Sequence, residues 1–272
     1  MQQKKIAFIG AGNMAFAIIA GLVKSGYPAG LITACNKSNQ ARREQLRAMG
    51  LNVDSTNRQA VELAEVVILA VKPQMMAEVC SEFADVDFSQ KWVISVAAGI
   101  SVARLAQLLP TAKNIVRTMP NTPSLIGEGM AGLFAKKSVE PTACQFAEAL
   151  LSAVGGCYWV ETEAQLNHII AITGSSPAYF FHFMEAMQQS AIEMGFSEQD
   201  ARQLVQAAAL GAAKMVVANP DLSIATLREN VTSKGGTTAQ ALAVFEQNGL
   251  ANIVDQAMHA AIKRAEEMEK LL

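Results

Sequence analysis

The chain has 272 residues, 51% of them hydrophobic, which is enough apolar material for one large domain or two ordinary ones. Its 22 lysines and arginines and 24 aspartates and glutamates give a net charge of −2 without a basic block, which argues against nucleic acid as a partner. The four cysteines form no C-x-x-C pair and the three histidines no H-x-x-x-H pair, so neither a disulfide framework nor a metal site is predicted. This cysteine usage suits a reducing cytoplasm.

The first predicted element is a strand that passes into a helix across a glycine turn. The apolar run Ile6–Ile9 ends at Gly10-Ala11-Gly12-Asn13-Met14-Ala15, after which apolar residues recur at helical spacing. Gly10 permits the tight turn, Gly12 lets a pyrophosphate approach the backbone, and Ala15 takes the third small position, where helix and strand pack closely. The first N–H groups of the helix and its dipole favour phosphate, so the turn predicts a dinucleotide site.

Two other interpretations of this segment compete with the dinucleotide site. Residues 6–23 carry no charge and follow two lysines, as in a signal peptide or a membrane span. Two glycines and an asparagine interrupt the run, so no membrane association is expected. A G-x-G-x-x-[GA] match also arises by chance, but its place between a strand and a helix favours the dinucleotide.

The tip of the second predicted strand, Leu31–Cys35, indicates which dinucleotide binds. It lies about 20 residues after the glycines, where NAD-binding folds place an acidic residue on the ribose hydroxyls. Here the tip reads Asn36-Lys37-Ser38, with no carboxylate, and Arg42 and Arg43 follow. This chemistry suits a 2′-phosphate, so we predict NADPH as the cofactor, with NADH as a second option. A plain surface loop is the alternative.

Three further strands are predicted to end at the same edge of the sheet. Val66–Val71 and Trp92–Val96 are almost wholly apolar, as strands buried on both faces are. They lead into Lys72-Pro73 and Ala97-Ala98-Gly99, and ligands bind at the carboxyl ends of such strands. Strand 114–118 leads into MPNTP at 119–123, which is either a rigid loop or a pocket wall. Strands at 130–134 and 157–160, with a helix at 141–153, complete this half.

The second half of the chain is predicted to be helical. The segment Gln203–Ala218 has Lys214 as its only charge, and a helix that is apolar nearly all round must be buried. Because about 110 residues of thin helices make a poor core, we expect this half to pack against a second copy. The predicted fold class is α/β, with an N-terminal Rossmann-like dinucleotide-binding domain at residues 1–160 and an all-α C-terminal dimerisation domain at residues 161–272.

Two small-residue interruptions lie within the helical half. The segment 230–238, NVTSKGGTT, stands directly before a helix and offers backbone N–H groups and hydroxyls to a small anion such as a carboxylate. An ordinary N-capped helix is the alternative, although Ser233, Thr237 and Thr238 are more hydroxyls than a cap requires. The segment 174–179, GSSPAY, either lets a long helix pass close to the nucleotide domain or is a kink with no ligand.

With both segments in view, the chain resembles the pyrroline-5-carboxylate reductase family, which performs the last step of proline biosynthesis. The likeness extends over nearly the whole length, through GAGNMA at 10–15, AVKP at 70–73, SVAAG at 95–99, MPNTP at 119–123 and NVTSKGGTTAQAL at 230–242. The last segment is the most specific. The resemblance implies an NAD(P)H-dependent oxidoreductase that reduces a cyclic imine. It also implies a homodimer, or a ring of dimers such as a decamer, whose interleaved C-terminal helices place the substrate beside the nicotinamide.

The resemblance also implies roles for particular residues. Those expected to contact the dinucleotide are Gly10, Ala11, Gly12, Asn13, Met14, Asn36, Asn57, Ala70, Val71, Lys72, Pro73, Ala97, Ala98 and Gly99. Lys37 is added to this set from the chemistry of the strand tip. Those expected to hold the substrate carboxylate are Ser233, Gly235, Gly236, Thr237 and Thr238, with Thr238 close to the ring nitrogen as the catalytic residue.

Two other functions agree with part of the sequence. The β-hydroxyacid dehydrogenases also join a Rossmann half to a helical half and use a K-x-x-x-N pair, whereas Lys214 and Asn219 are five residues apart and miss one helix face. An NADP(H)-binding regulator without turnover would not need the intact 230–242 segment.

Overall fold

The computed structural model describes residues 1–37 and 39–271, which form two compact units. Unit 1 comprises Met1–Ser175 and the end of the chain from Ala261, and unit 2 comprises Ser176–Ala260. The end of the last helix belongs to the sheet unit, which no local pattern in the sequence indicates.

Unit 1 is built on a seven-stranded sheet whose first five strands are parallel. Its strands are β1 (Ile6–Ile9), β2 (Ile32–Cys35), β3 (Val66–Leu69), β4 (Trp92–Ser95), β5 (Asn114–Met119), β6 (Gly129–Ala135) and β7 (Gly155–Trp159). The order is β2-β1-β3-β4-β5-β6-β7, with β6 antiparallel to β5 and β7 parallel to β6. Every predicted strand is present. β3 ends at Leu69, which leaves Ala70 and Val71 in the turn.

Among the described residues, the helices that lie wholly in unit 1 are α1 (Asn13–Lys24), α2 (Gln40–Ala48), α3 (Asn57–Leu63), α4 (Met76–Ser81), α5 (Val102–Leu108), α6 (Pro141–Ser152) and α7 (Gln165–Ile169). Side chains alternate along β1, so Ile6 and Phe8 pack with α1 and α6 whereas Ala7 and Ile9 pack with α3, α4 and α5. This is the doubly wound arrangement that the alternation of strands and helices predicts.

Helices α8 (Ser176–Glu193), α9 (Glu198–Ala218), α10 (Ile224–Asn230) and α11 (Thr237–Gln247) belong to unit 2, and α12 (Leu250–Leu271) starts there. The unit is all-α, as predicted. In the single chain the apolar segment 203–218 is largely uncovered, since Leu210 is 58% and Val217 80% exposed, so its predicted burial would have to come from a second copy. An apolar composition indicates that a helix must be shielded from water, but it does not indicate whether the same chain or a second copy shields it.

A buried arginine joins the end of α12 to the sheet. Arg117 on β5 is 2% exposed, and its guanidinium pairs with Glu163 at 2.9 Å and with Glu269 of α12 at 2.6 Å. Glu269 also accepts a hydrogen bond from the amide of Asn167 at 3.2 Å. A buried guanidinium is tolerated only when it is paired, so this cluster attaches the last helix to unit 1. Within the described ranges, no helix combines the length and apolar character needed to cross a bilayer.

Candidate active site

The glycine turn between β1 and α1 is shaped by close packing on the next strand. Gly10 has φ +94°, and a Cβ placed on it would lie 2.7 Å from the carbonyl oxygen of Ala70 and 2.9 Å from Val71. Its N–H donates to the carbonyl of Cys35 at 3.1 Å. Both the backbone conformation and the space therefore require glycine at this position.

Gly12 meets a different environment. It is the N-cap of α1, with ordinary φ −72°, and a Cβ added to it would meet no described atom within 4 Å. Asn13 and Met14 form the first turn of the helix, and the buried Ala15 packs in the core beneath it. An exposed helix N-terminus with open space above a glycine fits the pyrophosphate of a dinucleotide, as the sequence predicts.

The turns after β3 and β4 lie at the same edge of the sheet, because these strands run parallel beside β1. Residues 70–73 follow β3, and Pro73 begins a short 3-10 turn. Residues 97–99 follow β4, where the Ala97 N–H donates to the Ser95 hydroxyl at 3.3 Å. The fold thus brings together three of the segments predicted to contact the dinucleotide.

The tip of β2 lies against the glycine turn. The Asn36 amide donates to the carbonyl of Ala11 at 3.1 Å. Lys37 forms an ion pair with Glu82, at 2.6 Å between Nζ and Oε1, and the amide of Asn57 donates to the other oxygen of Glu82 at 3.0 Å. Ser38 lies outside the described residues.

The tip has no carboxylate in its own sequence, but the fold places the carboxylate of Glu82 beside it. Glu82 stands at the end of α4, far along the chain, and only the packing of α4 brings it to Lys37. A search of the segment that follows β2 does not find it. Burial, with a further contribution from the charge of Glu82, raises the pKa of the Cys35 thiol to about 11, so this thiol stays protonated near neutral pH.

Two arginines follow the tip, and their surroundings differ. Arg43 pairs with Asp54 at 3.0 Å. The guanidinium of Arg42 stacks on the Phe16 ring at 4.0 Å and donates to the Asn13 amide oxygen at 2.9 Å. No ion pair of Arg42 occurs within the described part of the chain, so its charge is directed at the start of α1 without a carboxylate partner.

The loop after β5 is held rigidly. Asn121 is 8% exposed and uses both ends of its amide, donating to the carbonyl of Thr173 at 2.9 Å and accepting from the N–H of Met130 at 2.9 Å. Thr173 belongs to a π-helical turn, Ile170–Gly174, which precedes α8. The small-residue interruption at 174–179 is thus a π-turn followed by a new helix. That MPNTP is rigid follows from these bonds, and its role as a pocket wall stays a prediction.

In unit 2, the hydroxyl-rich turn leads into α11. The N-cap is Gly236, and no side chain of the described residues caps the helix, so the predicted alternative of an ordinary capped helix does not apply. Gly235 has φ +73°, and the Gly236 N–H donates to the Ser233 carbonyl at 3.0 Å. The hydroxyls of Ser233, Thr237 and Thr238 are exposed and have no hydrogen-bond partner among residues 1–37 and 39–271. Free N–H groups and free hydroxyls together fit a carboxylate.

The dehydrogenase alternative finds no support in the geometry. Lys214 lies inside α9, whereas Asn219 follows the end of that helix and donates its amide to the carbonyl of Met215 at 2.8 Å. The three histidines are also exposed, and His182 and His259 each face an acidic residue of their own helix. These residues do not form a catalytic group in the protomer.

A cavity of about 550 Å³ lies between α8 and α9, lined among others by Phe181, His182 and Arg202. None of its lining residues was predicted to contact nucleotide or substrate. Its walls are helix faces that the protomer leaves uncovered, so we do not assign it to the chemistry.

Comparisons with known proteins agree with the two-unit architecture. Residues 163–268 match the family model described as pyrroline-5-carboxylate reductase dimerisation, and residues 5–99 match that described as NADP oxidoreductase, coenzyme F420-dependent. The chain is 58% identical over 275 residues to pyrroline-5-carboxylate reductase of Pasteurella multocida, covering 100% of both chains.

Solved structures agree as well. A pyrroline-5-carboxylate reductase from Coxiella burnetii matches with a TM-score of 0.90 and 39% identity over 98% of this chain and 99% of that one. A Plasmodium falciparum pyrroline carboxylate reductase with NADP bound matches with a TM-score of 0.87 and 26% identity over 99% of both chains. The chain therefore belongs to the pyrroline-5-carboxylate reductase family.

Proposed function

We propose that this protein reduces the cyclic imine 1-pyrroline-5-carboxylate to L-proline with NADPH, and less readily with NADH. The observation that carries the proposal is full-length identity of 58% to a pyrroline-5-carboxylate reductase, with every predicted site segment present. The reaction class is that of an oxidoreductase acting on a carbon–nitrogen double bond.

The nucleotide binds at the carboxyl edge of the sheet in unit 1. The N–H groups of Gly12, Asn13 and Met14 bind its phosphates, and the turns at 70–73 and 97–99 flank the rest. The open space above Gly12 and the uncompensated charge of Arg42 support this assignment. When bound, the nicotinamide supplies a hydride.

The substrate carboxylate binds at the turn before α11. The N–H groups of the first turn of α11 and the hydroxyls of Ser233 and Thr237 hold it. The Thr238 hydroxyl accepts a hydrogen bond from the iminium N–H and so positions the ring nitrogen. The iminium form arrives already protonated, so the chain needs no strong general acid. Positioning and exclusion of water supply most of the rate, in agreement with a turn that carries hydroxyls and amides.

The helical half, residues 161–272, binds substrate and forms the homodimer. Phe181, Leu210 and Val217 are 64%, 58% and 80% exposed, and Ala201 and Val205 are the buried apolar residues that the structure describes in unit 2. A unit with so small a core needs a second copy to cover it. We further propose that dimers assemble into a ring such as a decamer, and that the protein works in the cytoplasm, where its four free cysteines stay reduced.

The deciding experiment is NADPH oxidation with pyrroline-5-carboxylate, run in parallel with NADH. Turnover with a clear preference for NADPH is the expected result. Turnover with NADH alone would overturn the cofactor assignment and leave the reaction standing. Nucleotide binding without turnover would favour the regulator or another imine substrate.

A further inference from the structure

Glu82 occupies an unusual place beside the proposed nucleotide site. Its two carboxylate oxygens accept hydrogen bonds from Lys37 and Asn57, both predicted to contact the dinucleotide. The Glu82 side chain is 30% exposed and that of Lys37 69% exposed, whereas Asn57 is buried. One acidic residue thus binds two side chains of the predicted dinucleotide site.

The position of this cluster relative to the glycine turn is set by hydrogen bonds. The Gly10 N–H donates to Cys35, the last residue of β2, and the Asn36 amide donates to Ala11. Lys37 is the next residue. In dinucleotide folds the tip of this strand faces the adenosine ribose, where a 2′-phosphate or a 2′-hydroxyl lies. Glu82 therefore belongs to the ribose end of the site.

The cationic side chains around the ribose end differ in whether they have a carboxylate partner. Arg43 and Arg47 share Asp54, and Lys37 has Glu82. Within residues 1–37 and 39–271, Arg42 is a cation of this group with no carboxylate on it, and its guanidinium is held by the Phe16 ring and the Asn13 amide. A 2′-phosphate would meet Arg42 directly, but would have to share the Lys37 ammonium with Glu82, which already accepts one of its N–H groups.

We propose that Glu82 sets the selectivity between NADPH and NADH, a role that rests on the proposed nucleotide site. With NADPH, the 2′-phosphate competes with Glu82 for Lys37, and the two anions repel each other. With NADH, the Glu82 carboxylate accepts a hydrogen bond from the ribose hydroxyl instead. Because the Lys37 side chain is 69% exposed, its ion pair with Glu82 opens readily, so Glu82 moderates the preference for NADPH without abolishing it.

The test compares two probes that differ only in the 2′-phosphate, adenosine 2′,5′-bisphosphate and adenosine 5′-monophosphate. Their dissociation constants are measured by calorimetry for the wild type, Glu82→Gln, Lys37→Gln and the double variant. Glutamine still accepts a hydrogen bond from Asn57, so the buried amide stays paired. Glu62→Gln, which alters an exposed carboxylate paired with Arg58 on α3, is the matched control.

We expect Glu82→Gln to tighten the bisphosphate about two- to fivefold and to weaken the monophosphate, as suits loss of an exposed charge. The tightening should vanish in the Lys37→Gln background, and Glu62→Gln should change neither constant. An equal shift for both probes, or tightening that persists without Lys37, would overturn the role of Glu82.

These probes separate the inference from the proposed reaction. They need no imine, so a protein that fails to reduce pyrroline-5-carboxylate can still show the Glu82 effect. If neither probe binds the wild type, the nucleotide site and the role of Glu82 are both wrong.

Discussion

Gly10 and Gly12 lie two positions apart in one turn but serve different purposes. Gly10 has a positive φ and no room for a Cβ against Ala70, so the fold itself needs it. Gly12 has an ordinary backbone conformation and open space where a Cβ would stand, so only a ligand would need it. The effect of each glycine on stability and its effect on nucleotide binding can therefore be measured separately.

We expect Gly10→Ala to lower the free energy of unfolding by more than about 1 kcal/mol, because alanine is strained at this φ and collides with the neighbouring strand. Gly12→Ala should stay within about 0.5 kcal/mol of the wild type and yet weaken NADPH binding about tenfold or more. Urea denaturation and nucleotide titration measure the two effects. A Gly12→Ala protein that binds NADPH normally would refute the phosphate role of this turn.

Thr238 offers a test of the substrate turn. If its hydroxyl positions the ring nitrogen, Thr238→Ala should lower kcat/KM about tenfold to a hundredfold, since a bond made in the transition state is lost. The dissociation constant for NADPH should not change. Thr142→Ala, at an exposed position in α6, is the control for loss of a surface hydroxyl. A Thr238→Ala variant with the kcat/KM of the wild type would show that Thr238 does not position the ring nitrogen.

Among the secondary-structure elements, the turns that follow β1, β3 and β4 lie together at the carboxyl edge of the sheet. Arg117 on β5 binds the end of the last helix, α12. The Arg117 cluster joins β5 to Glu163, just before α7, and to Glu269 near the end of α12. Glu163 also accepts from the N–H of Val102, the first residue of α5, at 2.7 Å. The buried guanidinium and its two carboxylates thus connect β5, α5, α12 and the loop before α7, and loss of the guanidinium leaves both carboxylates without their cation.

We therefore expect Arg117→Ala to destabilise the protein by about 3 kcal/mol, the cost of breaking a buried pair from one side. Arg58→Ala is the matched control, because Arg58 pairs with Asp85 on the surface and its loss should cost less than about 1 kcal/mol. Both values come from urea denaturation at one protein concentration. Similar losses for the two variants would show that the cluster does not anchor α12.

At the scale of the whole molecule, the two units differ in how they stabilise themselves. Unit 1 has apolar clusters on both faces of its sheet, built around residues such as Phe8 and Phe83. Unit 2 leaves its long apolar helices α8 and α9 largely exposed, and the cavity between them is open. Large exposed apolar faces of this kind mark interaction surfaces, so stability of unit 2 is expected to depend on a second copy.

We expect Leu210→Glu to shift the protein from dimer to monomer, because the glutamate would bury a charge in the proposed interface. Leu63→Glu makes the same chemical change at an exposed position of α3 in unit 1 and should leave the dimer intact. Sedimentation velocity at several concentrations distinguishes the two. A Leu210→Glu variant that remains dimeric would place the interface elsewhere.

Much of unit 1 could be predicted because its signals are local. The apolar runs at 66–69 and 92–95, the glycines at 10 and 12 and the interruption at 233–238 are each specified by a few neighbouring residues. Periodicity and turn chemistry act over such short distances, so the strands, the glycine turn and the resemblance to the family could all be predicted without the structure.

Contacts between residues that are far apart along the chain could not be predicted in this way, because they form only when the chain folds. Glu82 reaches Lys37, and Glu269 reaches Arg117, through packing between elements widely separated along the chain, and neither glutamate belongs to a local motif. The same holds for α9. Its apolar composition predicts that the helix is buried, but the surface that packs against it cannot be predicted from composition. Electrostatic and apolar contacts depend on distance in space, and the folded chain sets that distance independently of sequence separation.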